Sequence, residues 1–176
     1  EFGTKFKGHD DDSDSSTDGL YYIKDSVDNL LNGSSSVVNG ASGNLCISDS
    51  FANLSTNGGV ANIKLAFTKT NVDLVVSDAI TVAQYQTLDA LNGSGTITYD
   101  ITDAKANIFA SGGSGAGYTS TAVGTIVNSA TNVSLSDAII QSQAATINTG
   151  RSGLSTVTFD LTDSNTNLFG GDNALD

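Results

Sequence analysis

Apolar and polar residues alternate in six short runs, and every run closes on one phrase: an apolar residue, one further residue, then Asp. The runs end at Asp25 (after Tyr21 and Ile23), Asp49 (Leu45, Ile47), Asp78 (Leu74, Val76), Asp103 (Tyr99, Ile101), Asp137 (Val133, Leu135) and Asp163 (Phe159, Leu161). Alternation with a period of two places the apolar members on one face of a β-strand. In two runs the row has a third member, as Ile97-Tyr99-Ile101 and Val157-Phe159-Leu161. Successive closing aspartates are 24, 29, 25, 34 and 26 residues apart. A period of this size predicts stacked coils, each burying its apolar side against its neighbours.

The residues after each Asp predict how the coil returns. Four runs continue as Asp-x-x-x-Asn-Leu/Ile: Asp25 with Asn29-Leu30, Asp49 with Asn53-Leu54, Asp103 with Asn107-Ile108, and Asp163 with Asn167-Leu168. Two read Ser77-Asp78-Ala79-Ile80 and Ser136-Asp137-Ala138-Ile139. A Ser/Thr-Asp pair at this point predicts a helix N-cap that ends the strand. Good helix formers fill Thr81 to Leu91 and Ile139 to Ile147, with C-terminal stops at Asn92-Gly93 and Thr149-Gly150. Residues 104–110 and 165–169 have room for only a turn or two. The stretches 72–110 and 133–170 repeat the same order, a two-coil super-repeat. The predicted fold class is a repeat solenoid of about six 24–34-residue coils, each a parallel β-strand plus a short helix or irregular arc. The longest interval holds the glycine-rich run Ser111–Gly117, predicted to be a loop. It lacks the Lys-Ser/Thr that completes a phosphate-binding loop.

Composition agrees with many short elements and turns. Among 176 residues, apolar types make up 38%, charged types 15%, and there are 19 glycines and no proline. One domain is the expectation at this length. Residues 1–19 are set apart as a tag or acidic linker, because Asp10-Asp11-Asp12-Ser13-Asp14 and Asp18 carry no apolar period. Their spacing imitates an EF-hand loop, but Ser15 stands where the turn needs Gly and Tyr21 where a bidentate Glu is needed. Residues 20–171 form the expected solenoid and 172–176 a C-terminal tail. The chain contains no Met, which marks it as a processed or excised piece, with Glu1-Phe2-Gly3-Thr4 either a cloning scar or a mature terminus. A formal charge of −12 disfavours nucleic acid and anionic membranes as partners, and no apolar run is long enough for membrane insertion.

Candidate chemistry is confined to the aspartates. His9 is the only histidine and lies in the acidic stretch, so no Ser-His-Asp triad can be assembled on the coils, and the prediction is a non-enzyme. Cys46, the only cysteine, sits inside an alternating run and is expected to be a small buried strand residue. Stacking would bring six Asp side chains into one column, where like charges repel unless neutralised. Three answers are open. The carboxylates cap their own helices and turns, where backbone amides compensate the charge. Or each pairs with a neighbouring Asn or Thr in an Asx-type turn, with the Asn four residues on forming a ladder of its own. Alternatively, Asp25, Asp49, Asp78, Asp100, Asp103, Asp137, Asp160 and Asp163 supply oxygens to calcium bridging adjacent coils. Against calcium, the nonapeptide Gly-Gly-x-Gly-x-Asp is absent, since Gly112-Gly113-Ser114-Gly115-Ala116 is followed by Gly117.

The segments 98–108 (Thr98-Tyr99-Asp100-Ile101-Thr102-Asp103-Ala104-Lys105-Ala106-Asn107-Ile108) and 76–84 (Val76-Ser77-Asp78-Ala79-Ile80-Thr81-Val82-Ala83-Gln84) resemble repeats of very large secreted or surface proteins of bacteria, adhesin-like or surface-layer-like. The likeness covers about residues 72–110 and 133–170 and, more loosely, 21–55. It implies an extracellular or cell-surface location and a structural role as a stalk, surface-layer or filament subunit, with no catalytic residues to carry over. The expected partners are copies of the chain itself or adjoining repeats of a longer parent, because uncapped coil ends expose strand edges. A calcium-dependent module that binds polysaccharide or another cell-surface ligand is the alternative.

Overall fold

The alternating runs are strands. In the computed structural model, which describes residues 23–32, 45–56, 59–110, 117–150, 156–164 and 167, they form β1 (Ile23–Asp25), β2 (Leu45–Asp49), β3 (Asp73–Ile80), β4 (Ile97–Asp103), β5 (Val133–Leu135) and β6 (Val157–Thr158). They make one open, all-parallel six-stranded sheet in sequence order, β1-β2-β3-β4-β5-β6. Helices are interleaved, as parallel strands require a crossover between them. They are α1 (Val27–Asn32), α2 (Phe51–Ser55), α3 (Val60–Ala66), α4 (Val82–Asn92), α5 (Lys105–Ile108), α6 (Thr121–Ser129) and α7 (Gln141–Gly150). The architecture is therefore α/β. The expected acidic linker 1–19 and tail 172–176 lie outside the described residues.

One offset recurs in the strand pairs, and it widens by two beyond β5, where Ile139 bridges Leu161. Asp25 lies beside Ile47, Asp49 beside Val76 and Asp103 beside Leu135, and Val133 lies beside Val157. In each pair that includes an aspartate, it faces the residue two positions before the next strand's aspartate. A shift of two keeps side-chain parity, so within each of these pairs the apolar rows stay on one face.

The chain divides into two compact units, residues 1–78 with 86–98, and residues 79–85 with 99–176. In the first unit the strand residues Leu45, Ile47, Leu74 and Val76 are buried together with Leu30, Leu54, Val60, Ile63 and Leu88 from the helices. Cys46 is also buried, as expected of a small strand residue. In the second unit Tyr99, Ile101, Val133 and Leu135 are buried with Ile108, Phe109, Ile126, Val127, Ile139 and Ile147. The alternate positions Thr98 and Thr102 are exposed. Tyr99 is anchored at both ends: its ring lies 4.5 Å from that of Tyr85, and its hydroxyl donates to the Ile126 carbonyl at 2.6 Å.

Four expectations need correction. The pairs Ser77-Asp78 and Ser136-Asp137 do not cap the next helix. After Ser77-Asp78 the strand runs on to the buried Ile80, and after β5 the chain bends at Ser136-Asp137 and then buries Ile139 in a bridge to Leu161, so helices begin only at Val82 and Gln141. The cap of α4 is instead a reciprocal box, in which Thr81 Oγ1 accepts from the Gln84 amide while Gln84 Oε1 accepts from the Thr81 amide. The longest interval contains more than a loop: α6 spans Thr121–Ser129, with Ser120 accepting from the Val123 amide and Val123, Ile126 and Val127 buried at helical spacing. The row Val157-Phe159-Leu161 does not make a full strand: the ladder of β5 with β6 stops at Thr158 and resumes as a single bridge of Ile139 with Leu161, two residues out of the earlier register, and Leu161 is 49% exposed. Finally, the asparagine four residues after Asp does not stack on its counterparts; its amide turns back to its own aspartate.

Candidate functional site

The six closing aspartates, the column of the sequence pattern, have carboxylates engaged by backbone and side-chain N–H groups. Within each coil of the Asp-x-x-x-Asn type, Oδ1 accepts from the next residue's amide and from the Asn side chain. Asp25 takes Ser26 N at 2.8 Å and Asn29 Nδ2 at 2.6 Å; Asp49 takes Ser50 N and Asn53 Nδ2, both at 2.8 Å. Asp103 takes Ala104 N at 2.8 Å and Asn107 Nδ2 at 2.7 Å; Asp163 takes Ser164 N at 2.8 Å and Asn167 Nδ2 at 2.6 Å. The Ser after Asp supplies the helix cap in its own right, as Ser50 does for the Asn53 amide.

The other oxygen reaches back one coil. Asp49 Oδ2 accepts from Val27 N at 3.1 Å, Asp103 Oδ2 from Val82 N at 2.9 Å, Asp137 Oδ2 from Lys105 N at 3.0 Å and Asp163 Oδ2 from Gln141 N at 2.9 Å. Asp78 makes the same reach through Oδ1, to Phe51 N at 2.7 Å. Each acceptor thus holds an amide at the first turn of the preceding helix, where unpaired N–H groups and the helix dipole favour an anion. Asp49, Asp78 and Asp137 reach the amide two residues past the preceding aspartate, as the register offset places them, whereas Asp103 and Asp163 reach the amide four residues past it, because the chain after Asp78 and Asp137 runs on to Ile80 and Ile139 before its helix begins. Asp163 shows the electrostatic result: the Asn167 side chain, then the amides of Gln141 and Ser164, hold its carboxyl below the usual carboxylate range against a small opposing effect of burial.

A second polar row ties the strand entrances. Asp73 Oδ1 accepts from Thr96 N at 2.7 Å and Thr96 Oγ1 at 2.9 Å, and Asn71 Oδ1 accepts from Ser94 N at 3.0 Å. Asp100 Oδ1 accepts from Asn132 N at 3.0 Å and Asn132 Nδ2 at 2.9 Å; Asn132 Oδ1 in turn accepts from Thr156 N at 3.3 Å. Asp73, Asn71 and Asn132 were not singled out by the sequence pattern, because each acts on an amide about one coil away. Asp160 stands apart: it is exposed, and its backbone carbonyl accepts from Ile139 N at 2.8 Å.

Of the eight calcium candidates, Asp25, Asp49, Asp78, Asp103, Asp137 and Asp163 therefore lie in the column, Asp100 lies in the second row and Asp160 in neither. Among the described residues, no three His, Cys, Asp or Glu side chains come together as a metal-holding group. Two lysine side chains serve carbonyls: Lys105 Nζ donates to Ala138 O at 2.9 Å and Lys64 Nζ to Leu91 O at 2.8 Å. A shallow, open hollow of about 380 Å³ is lined by Tyr118, Ser120, Thr121, Gly124, Thr125 and Asn128, all uncharged. Tyr118 closes one wall, stacked 5.9 Å from Phe109 and donating to Asn128 Oδ1 at 2.7 Å.

Neither a family model, nor a curated protein, nor a solved structure matches the chain. Among the described residues no helix is long and apolar enough to cross a membrane.

Proposed function

We propose that the chain is a structural repeat segment, a solenoid of strand-plus-helix coils that serves as a stalk, surface-layer or filament element of a bacterial extracellular protein. The observation that carries this reading is the use made of the carboxylates. The most repeated chemical group in the sequence pattern is turned inward to fasten each coil to the one before it, and the same contact recurs at Asp49, Asp78, Asp103, Asp137 and Asp163. A group engaged by two or three N–H donors is a poor nucleophile and a poor general base, but a good fastener. Repeats joined by one rule also add length without a new fold. The reading includes self-stacking or continuation into adjoining repeats, since among the described residues β1 and β6 each pair with a strand on one side only.

The test is to lengthen it. A variant in which residues 79–137 are duplicated in tandem, so that each copy keeps its closing Asp, gains two strands and their helices under the same register rule. It should fold with an unchanged circular-dichroism spectrum per residue. Small-angle scattering should show the longest dimension increased by about 10 Å, two strand spacings of about 4.8 Å. Aggregation or loss of helical signal would count against a repeat scaffold. Calcium-dependent capture of a polysaccharide by the parent chain would favour a binding module in its place.

A further inference from the structure

We infer that the outer edge of the last strand segment is a docking surface for a second copy of this chain, which adds its β1 in parallel and continues the aspartate column. This inference rests on the scaffold reading and names its partner. Three observations support it. The position two residues before each closing Asp is buried in the interior coils, with Ile47 at 0%, Val76 at 8%, Ile101 at 1% and Leu135 at 7% exposure, yet its counterpart Leu161 is 49% exposed. The position four residues before Asp behaves alike: Leu45, Leu74, Tyr99 and Val133 are buried and Phe159 is only half-buried. An apolar row buried in every interior strand and open at the last is a surface shaped for one more strand.

The third observation is the complement on the opposite side of the sheet. Asp49, Asp78, Asp103, Asp137 and Asp163 each hold an amide of the preceding coil. Asp25 bonds only within its own coil among the described residues, through Oδ1 to Ser26 N and Asn29 Nδ2. Among those residues it is the one column member with no preceding helix to cap. Continuing the two-residue offset sets Ile23 of a second copy beside Asp163 no differently from its place beside an interior strand, and puts its Asp25 Oδ2 where interior aspartates find the amide of the preceding turn. The contact joins unlike surfaces, so it does not close at a dimer and propagates. A charge of −12 on every copy opposes the approach, so association strengthens with salt as the Debye length contracts from about 30 Å at 0.01 M toward a few ångströms.

Sedimentation velocity on the full chain tests this, from about 1 to about 500 μM in about 0.3 M salt, on the mass-action expectation that association rises with concentration. The expected result is a weight-average mass that passes the dimer and keeps rising. Leu161→Lys should return it to the monomer, and Asp25→Asn, which keeps Oδ1 and turns Oδ2 into a donor, should raise the concentration needed by about tenfold. Mixing the two variants below the threshold of Asp25→Asn should give a dimer and nothing larger, since one intact end remains on each. A monomer throughout, or a closed dimer indifferent to Leu161→Lys, would overturn the inference. If the duplicated variant lengthens while the parent stays monomeric, only the docking surface fails and the scaffold stands.

Discussion

Asp103 is the column member whose loss should be felt most, because it is only 5% exposed and serves three donors. Asp103→Ala removes the acceptor of Ala104 N, Asn107 Nδ2 and Val82 N at 2.8, 2.7 and 2.9 Å. The first two donors lie toward the surface of the turn and can turn to water, which puts their loss at about 1 kcal/mol each. Val82 is buried, and stranding its amide costs about 2 kcal/mol more. The sum, about 4 kcal/mol, carries a margin of about 1 for non-additivity within one network. In urea, with a slope of about 2 kcal/mol/M for a protein of this size, the midpoint should fall by about 2 M at pH 7. Asp103→Asn keeps the Oδ1 contacts and places an NH2 against the Val82 N–H, so it should lose about half as much. Asp163→Ala removes the same set of contacts at an exposed end and should shift the midpoint far less. A shift under about 0.5 M for Asp103→Ala, or an equal one for Asp163→Ala, would show that these bonds do not hold the coils together.

The Asp163 carboxyl, held low chiefly by Asn167, contributes stability that is present above its unfolded pKa and is lost as pH falls through the lower folded value. Its side-chain carbon should therefore titrate below a free aspartate in an NMR pH series, with the Gln141 and Ser164 amides shifting in step; Asn167→Ala should move the midpoint back up, and a midpoint at or above the ordinary value would refute the contact. Gly124→Ala sets a methyl carbon 2.6 Å from Tyr118 Cδ2, so Tyr118 must leave its stack on Phe109 and its bond to Asn128. The overpacking, about 1–3 kcal/mol, exceeds the helix-propensity gain of about 1 kcal/mol; a lowered Tm and altered tyrosine fluorescence should report it, and an unchanged Tm would show that the ring yields freely. Calcium at about 5 mM, against excess chelator, should leave Tm within about 1 °C, because each column carboxylate already has an N–H partner on at least one oxygen; a rise of several degrees would return the column to calcium.

The strands were legible because apolar residues recur at alternate positions before the same closing letter, so Leu45-Ile47 or Val133-Leu135 needed no partner to be recognised. The self-capping half of the column was legible too, since the Asp and Asn that meet in Asp103–Asn107 lie four residues apart. The other half was hidden. The donors to Asp49 and Asp137, Val27 and Lys105, use backbone amides 22 and 32 residues away, and an amide leaves no mark on residue type. Ser77-Asp78 misled for a related reason: Ser-Asp is the chemistry of an N-cap, but burial of Ile80 kept the strand going and passed the cap to Thr81 and Gln84. Helix α6 was overlooked although Val123, Ile126 and Val127 keep helical spacing, because the glycine-rich run before it read as a loop and no Asp phrase closes it.

Because the same aspartate bond recurs where a strand gives way to its helix, the stretches between these bonds can change in length. Intervals of 24 and 34 residues end in the same bond, and closing the longer one costs only about 0.3 kcal/mol more in chain entropy. The chain thus works like a zip whose teeth are fixed and whose tape can be let out at will. New segments, whether a helix such as α6 or a foreign recognition loop, can be inserted between two aspartates without renegotiating the teeth, which makes these intervals the natural places for such proteins to vary and to be engineered.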